Sequence, residues 1–386
     1  MRVLKLVFKN SLRHKLRTSL TVLGIAIAVT AFGLLRTVVT AWNAGVESSA
    51  ANRLIVRQAV SFIFPLPFSY RDRIAKLPGV EAVSYQNWFG GVYIDKNQFF
   101  ARMAIDPETF EQVYPEYIVP PDQFAQFKKE RNSCMIGRDI AERYHLKIGD
   151  IMPIEGDIYP GHWEFVVRAI YQPRDKTVDA SQMLFQWDYL NERMEQEAPG
   201  RANQVGWYIV KIADPSKAAA ISEEIDALFK NSDAETKTET ERAFQQGFIA
   251  ASGSIISAMN FISFVIIGII MLVLGNTMIM SARERTREYA VFKTLGFSAG
   301  HLIGLIAGES FVISFVGGAV GLAFTLPIVQ MFQAFIPKGW FPVFNVEPIT
   351  IILAGVSALV VGLAASLFPI QRALSTKIVD GLRFIG

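Results

Sequence analysis

The sequence has few of the residues that enzymes use for metal, thiol or acyl-transfer chemistry. Its 386 residues include one cysteine, Cys134, and four histidines. A single cysteine excludes an intramolecular disulfide, and Cys134 is interpreted as a buried small hydrophobic residue. The spacings HExxH, GxSxG and CxxC are absent. We therefore predict no catalytic, cofactor-binding or metal-binding residue, and we interpret His145 and His162 as ordinary surface or packing side chains.

Charged residues are absent from three long stretches and almost absent from a fourth. None lies in residues 19–35, 243–282 or 348–371, and Glu309 is the only one in residues 302–337. Because about 20 apolar residues cross a hydrocarbon core of ~30 Å, the sequence predicts four transmembrane helices. We place them at residues 19–41, 254–280, 301–334 and 349–370. A cleaved signal peptide is the alternative for the first, but its apolar run is longer than the ~7–15 residues of a signal sequence.

Positive and negative residues are distributed unevenly along the chain, and this distribution predicts how the chain is oriented in the membrane. Residues 43–250 hold 23 Lys and Arg and 30 Asp and Glu, whereas the rest of the chain holds 15 and 5. Positively charged segments beside membrane spans stay in the cytoplasm. We therefore expect residues 1–18, 281–300 and the tail 371–386 inside, with both termini cytoplasmic. The acidic region 42–253 and the short loop 335–348 are then outside.

The outer region predicts an α+β domain, so the fold class is an α-helical membrane protein with a large domain between its first and second spans. Two β-α units share the pattern of a strand followed by a helix, and they are expected to pair as a split α+β sandwich. The predicted elements are strands at 53–57, 80–85 and 205–212 and helices at 70–77 and 215–230, the last opened by Asp214. Between these units, residues from about 100 to 195 look rich in strands, with one clear helix signal at 137–146.

Two outer segments are more apolar than loops usually are, which makes them candidate contact sites. The aromatic residues concerned are Phe62, Phe64, Phe68, Tyr114, Tyr117 and Phe124. The alternative is that these rings pack on the sheets.

Two patterns concern packing at and within the membrane. Leu4, Phe8, Leu12 and Leu16 recur every four residues beside basic residues, which predicts a helix on the inner leaflet over residues 1–18. Four glycines form two G-x-x-x-G spacings in the third span, which favours close helix packing or self-association. These are Gly304, Gly308, Gly317 and Gly321.

Two further residues of the third span stand out. Pro327 is expected to kink or end the helix. Glu309 is an intramembrane carboxylate and therefore a functional candidate. The alternative for Glu309 is that it pairs with an arginine, water or a backbone group near the cytoplasmic face.

The charged segment 281–300 between the second and third spans predicts a short amphipathic helix. Tyr289, Phe292 and Leu295 fall at helical spacing, and Gly296 is placed to end the helix in a left-handed cap. Such a helix suits a partner with a groove. The proposed docking residues are Arg287, Glu288, Tyr289, Phe292, Lys293, Leu295 and Gly296.

The run Glu284-Arg-Thr-Arg-Glu-Tyr-Ala-Val-Phe-Lys-Thr-Leu-Gly-Phe-Ser298, followed by Glu309-Ser310, resembles the signature of MacB/FtsX-type ABC transporter permeases. The layout of one span, a large domain and three clustered spans is similar along the whole chain. The resemblance implies a membrane-proximal porter module in two halves, about 50–100 and 200–245, with a β-rich module inserted at about 101–199. It also implies that 288–298 is the coupling helix that docks on an ATPase.

MacB carries its ATPase on the same chain, whereas this sequence has no G-x-x-x-x-G-K-[ST] phosphate loop. The resemblance therefore implies a non-enzymatic permease subunit of the bacterial inner membrane, with ATP and Mg²⁺ bound by a separate cytoplasmic ATPase. It implies a second permease copy, as a homodimer or a heterodimer, and contact with membrane lipid. An adaptor with an outer-membrane channel, or a periplasmic carrier, are further partners that it suggests; nucleic acid is not expected.

Three functions remain open at this point. The first is ATP-driven motion of the outer domain, called mechanotransmission, which exports or extracts a substrate at the outer face. The second is an FtsX-like signalling protein or scaffold that activates a periplasmic hydrolase or a sensor. The third is a proton-coupled transporter that uses Glu309.

Overall fold

The computed structural model describes residues 15–96, 98–175, 177–251, 253–335 and 344–379. Most of the helix expected over residues 1–18 lies outside these ranges. The chain divides into two compact units: a helical unit with residues up to 40, 253–335 and from 344 onward, and an α+β unit with residues 41–252.

The described helices comprise four long apolar ones and eight short ones. In chain order they are α1 (Lys15–Ser48), α2 (Tyr70–Ile74), α3 (Phe110–Val113), α4 (Pro121–Lys129), α5 (Arg138–Tyr144), α6 (Trp187–Glu197), α7 (Ala218–Leu228), α8 (Glu241–Ala251), α9 (Gly253–Glu284), α10 (Thr286–Thr294), α11 (Ala299–Phe335) and α12 (Pro348–Ser375). Among the described residues, four helices are long and apolar enough to cross a membrane: α1, α9, α11 and α12. The prediction of four such helices is confirmed, but α11 continues through Pro327 instead of ending there.

The strands that the structure describes all lie in the α+β unit. They are β1 (Arg53–Gln58), β2 (Leu66–Pro67), β3 (Val80–Trp88), β4 (Ala101–Ile105), β5 (Tyr117–Ile118), β6 (Ser133–Gly137), β7 (Ile151–Gly156), β8 (Gly161–Pro173), β9 (Gln182–Gln186), β10 (Gln204–Val205), β11 (Trp207–Ile212) and β12 (Thr236–Thr240). Ten of them form one sheet in the order β12-β1-β11-β3-β4-β9-β6-β8-β5, with β7 on β8, and β10 pairs with β2.

The two predicted β-α units do pair. β1-α2-β3 and β11-α7-β12 interleave in the order β12-β1-β11-β3, in which each strand is antiparallel to its neighbour. This is a split arrangement of two β-α-β units. Asp214 caps the start of the helical segment that follows β11, as predicted, because its carboxylate accepts a hydrogen bond from the Ser216 amide at 2.9 Å.

The inserted region continues the sheet of the two β-α units: β4 pairs with β3, and one apolar core includes residues of both regions. The inserted region contains α3, α4 and α6 in addition to the expected α5. The helix α4 starts at Pro121, a position where a missing N–H costs nothing. Cys134 is fully buried in this core, as expected.

A buried ion cluster joins both ends of the α+β unit. Arg53 at the start of β1 is 3% exposed. Its Nε donates to Glu241 Oε2 at 2.8 Å, and its Nη1 donates to Glu116 Oε1 at 2.5 Å and to the Val113 carbonyl at 2.9 Å. Glu241 Oε2 also accepts the Ala50 amide at 2.8 Å. One guanidinium therefore links the segment before β1, the start of α8 and the α3–β5 region.

Small residues let α1 approach α11 closely in the helical unit. A Cβ at Gly317 would lie 2.8 Å from Ile25 Cβ, and one at Gly321 would lie 2.7 Å from Val29 Cβ and 2.8 Å from the Ala26 carbonyl oxygen. By contrast, a Cβ at Gly304 meets no atom within 4 Å. The predicted close packing at Gly317 and Gly321 is therefore made inside the chain.

We expect Gly321→Ala and Gly304→Ala to change stability in opposite directions. The added methyl at 321 overlaps the backbone of α1, and such overpacking costs about 1–3 kcal/mol. The methyl at 304 enters open space and removes the flexibility of a helical glycine, a gain of about 0.5–1 kcal/mol. Thermal unfolding of the full chain in detergent, followed by circular dichroism, measures both. Equal effects of the two substitutions on stability would contradict the close packing of Gly321 against α1.

Candidate functional site

The helix α10 follows α9 almost without interruption. Arg285 separates them, with φ −102° and ψ 11°. The Arg285 amide still donates to the Ser281 carbonyl at 3.2 Å, and the Tyr289 amide donates to the Arg285 carbonyl at 3.0 Å. Because helical hydrogen bonds continue on both sides of Arg285, no flexible loop separates the long apolar helix from the short one.

The end of α10 is a complete Schellman motif. Gly296 has φ +84°, the left-handed conformation predicted for it. Its amide donates to the Lys293 carbonyl at 3.1 Å, and the Phe297 amide donates to the Phe292 carbonyl at 3.0 Å. The rings of Phe292 and Phe297 lie 5.3 Å apart, which is the apolar contact that accompanies this motif. The chain direction after α10 is therefore set by local structure.

The buried face of α10 differs from the predicted docking face. Tyr289 is 6% exposed and belongs to the core of the helical unit, and Phe292 packs against the same core. The interpretation of the Tyr289, Phe292 and Leu295 stripe as a partner surface is therefore corrected. A nine-residue helix must bury one apolar face to be stable, and the rings at positions i and i+3 supply that face.

A different set of residues forms the exposed face. Arg287, Val291 and Leu295 are spaced by four residues and therefore share one side of the helix. All three are exposed, Val291 by 40% and Leu295 by 68%. We call these three residues the outer stripe. Phe297, 43% exposed, lies just beyond it in the chain.

Just before α10, Arg285 makes a buried ion pair with Glu309 of α11. Its Nη1 lies 2.8 Å from Glu309 Oε2, and the two side chains are 6% and 8% exposed. Ser281 Oγ also contacts Glu309 Oε1 at 3.4 Å. Of the two alternatives for Glu309, pairing with an arginine is the one found. Arg285 was not singled out from the sequence, because only the fold brings residues 24 positions apart together.

At the other end of α10, Lys293 binds the end of α12. Its Nζ donates to the carbonyls of Ala373 at 2.9 Å, Leu374 at 3.0 Å and Thr376 at 2.8 Å. The last carbonyls of a helix lack intrahelical partners and carry partial negative charge, so a cation is favoured there. Lys293, expected to face a partner, is therefore engaged within the chain.

The remaining candidate residues lie elsewhere. Glu288 is half-buried on α10. In the α+β unit, Phe62 and Phe64 are 41% and 53% exposed. Phe68 stacks on Trp187 at 4.8 Å. The packing alternative holds for the second aromatic segment: Phe124 is 6% exposed, and Tyr114 and Tyr117 pack on the same apolar cluster.

His162 and His145 lie at ordinary surface and turn positions. His162 is exposed and contacts Glu155 Oε1 at 2.6 Å, and this hydrogen bond raises the pKa of His162 above its usual value. His145 has φ +56° and ends α5.

Two family models match the chain. One described as a MacB-like periplasmic core domain matches residues 18–228, and one described as FtsX-like permease C-terminal matches residues 260–378. The second range contains α10, Arg285 and Glu309. The first contains most of the α+β unit.

Relatives with similar sequences are also transport proteins by name. An uncharacterised ABC transporter permease of Methanocaldococcus jannaschii is 22% identical over 410 aligned residues, covering 99% of this chain and 97% of that protein. The macrolide export ATP-binding/permease protein MacB of Escherichia coli K12 is 31% identical over 122 residues, covering 30% of this chain and 18% of that protein.

Two solved structures are similar to part of the chain. The periplasmic region of MacB from Actinobacillus actinomycetemcomitans has 10% identity, covers 53% of this chain and 95% of that one, and aligns with a TM-score of 0.38. The extracellular domain of the transporter YknZ from Gram-positive bacteria has 12% identity, covers 49% of this chain and 100% of that one, and has a TM-score of 0.36.

Proposed function

Because this chain belongs to the family of ABC transporter permeases that join a MacB-like periplasmic core domain to an FtsX-like C-terminal region, we propose that a separate cytoplasmic ATPase drives it through α10. ATP and Mg²⁺ are then bound by that partner, and the chain itself is a non-enzymatic subunit of the inner membrane with cytoplasmic termini.

The observation that carries the proposal is the outer stripe on α10. Its two apolar residues and one arginine are exposed on a short helix whose other face is buried in the helical unit. A helix of this kind fits a groove on a partner, with the apolar side chains as anchors. Because α10 follows α9 with no loop between them, a displacement of α10 is passed to α9.

We infer that this displacement is used outside the membrane. The chain passes from α8 of the α+β unit to α9 with one residue between them. ATP-driven motion of α9 can therefore reach the α+β unit and export or extract a substrate at the outer face. The Arg285–Glu309 pair supports this reading over proton transport, since the carboxylate of Glu309 is already engaged by a buried guanidinium at 2.8 Å.

The substitution Leu295→Asp tests the docking surface. A carboxylate in the centre of an apolar contact is expected to weaken binding of the ATPase about tenfold or more, since truncation of single interface anchors costs ~2 kcal/mol. The measurement is ATPase binding to the full chain in nanodiscs, together with permease-dependent ATP hydrolysis. Phe292→Asp is less informative because Phe292 also packs in the core.

Val379→Asp is the matched control, since Val379 is exposed by 61% but lies outside α10. We expect it to bind the ATPase like the unmodified chain. Unchanged binding by Leu295→Asp would overturn the docking assignment, and equal losses in both variants would show that any added carboxylate has this effect.

A further inference from the structure

The helix α10 continues α9, and side-chain contacts near its two ends also bind it to α11 and α12. At its start, Arg285 is paired with Glu309 of α11 at 2.8 Å. At its end, Lys293 binds three carbonyls at the end of α12. A helix attached only through the polypeptide chain would pass its displacement to α9 alone.

All three N–H donors of the Lys293 ammonium group are used within the chain. An ammonium group has three N–H donors, and three backbone carbonyls within 3.0 Å accept them. These carbonyls belong to residues 80 to 83 positions further along the sequence. They lie at the end of α12, where no amide of the same helix is left to donate to them. Lys293 therefore has no donor left for a partner, although it lies on the proposed coupling helix.

We propose that Lys293 is a positioning residue that makes the end of α12 move together with α10. With Arg285 acting on α11, a push on the outer stripe then displaces α9, α11 and α12 as one body. The inference rests on the proposed function, because it assigns the route by which force from the ATPase spreads through the helical unit.

The test follows the distance between α10 and α12 during the ATP cycle. Spin labels are placed on Thr294→Cys and Gln371→Cys, both exposed positions. Cys134 is fully buried, so the introduced thiols are the ones that react. The complete complex with its ATPase is measured in nanodiscs by electron paramagnetic resonance, without nucleotide and with trapped ATP. With Lys293 present, we expect one narrow distance distribution that is the same in both states.

Lys293→Met keeps the aliphatic stem and removes the ammonium. We expect ATPase affinity to stay within about twofold of the unmodified chain, whereas the 294–371 distance broadens and shifts by several Å when ATP binds. Lys293→Arg, which keeps the charge, is expected to restore the narrow distribution. Arg287→Met, on the exposed side of the same helix, is expected to do the reverse: weaker ATPase binding and an unchanged distance.

The outcomes separate the two proposals. A Lys293→Met distribution like that of the unmodified chain in both states overturns the fastening role. Full ATPase binding by Leu295→Asp overturns the docking role instead. If Lys293→Met does not fold, Lys293→Leu, which likewise supplies no donor, is measured in its place, and an unchanged narrow distribution in that variant again overturns the inference.

Discussion

Replacing Arg53 with methionine is expected to destabilise the α+β unit by about 3–5 kcal/mol, because it removes one partner of a buried ion cluster. Two carboxylates, Glu116 and Glu241, then remain with only 11% and 10% of their side chains exposed and no guanidinium beside them. The Val113 carbonyl also loses its donor. The free energy of unfolding of the full chain, measured by urea titration with tryptophan fluorescence, gives the size of the loss.

The loss of stability in the Arg53→Met variant should depend on pH. Burial raises the pKa of Glu241 above its ordinary value, and the charge of Arg53 opposes that rise. Without Arg53 the pKa rises further. A carboxyl with a raised folded-state pKa loses stability as pH increases through that pKa. The difference between Arg53→Met and the unmodified chain is therefore largest at neutral pH and shrinks as the pH falls toward ~4.3.

Arg57→Met is the control, since it lies on the same strand. Arg57 pairs with Glu239 at 2.9 Å, but these two side chains are more exposed, at 16% and 18%. The two residues lie on the paired strands β1 and β12. We expect a loss of about 1 kcal/mol or less. Equal losses at positions 53 and 57, or a loss at 53 that does not change with pH, would contradict the role given to the cluster.

Glu309→Leu is expected to destabilise the helical unit by a similar amount. The substitution leaves the guanidinium of Arg285, 6% exposed, without its carboxylate, and breaking a buried pair from one side costs about 3–5 kcal/mol. Because Arg285 is next to α10, the same variant should also reduce permease-dependent ATP hydrolysis. Thermal unfolding in detergent and hydrolysis by the reconstituted complex measure the two effects.

The double variant Arg285→Met/Glu309→Leu tests whether the pair itself is responsible. With both charges gone, no unpaired ion is left, so stability should recover most of the loss. The pair of Arg17 and Glu284 gives a comparison, because its side chains are 23% and 45% exposed. Arg17→Met should cost at most about 1 kcal/mol. A double variant less stable than Glu309→Leu would contradict the pairing.

Local features of the fold could be read from the sequence. The four apolar helices follow from uncharged stretches long enough to cross a bilayer. Asp214 and Gly296 were placed correctly because a capping carboxylate and a left-handed glycine act on residues two or three positions away. The pairing of the two β-α units was also predicted, since each unit shows its own strand and helix pattern.

The misreadings have a common origin. Tyr289 was expected to face a partner and is buried, and of the two readings of Phe124, partner contact or packing, the structure shows packing. An aromatic stripe has the same pattern whether it meets a partner or the rest of its own chain, so spacing alone did not distinguish the two. Likewise, the G-x-x-x-G at Gly317 and Gly321 could serve a second copy or another helix of the same chain, and the contact with α1 decides it.

The sequence by itself determined the four membrane helices, the α+β domain between the first two, and the short helix that follows α9, since each depends on hydrophobic periodicity or on nearby caps. Only the tertiary structure decided which side of that short helix is free. It did so by pairing Arg285 with Glu309 and Lys293 with the end of α12. Buried charges and unpaired carbonyls must find partners, and the partner that each one finds depends on how distant helices pack.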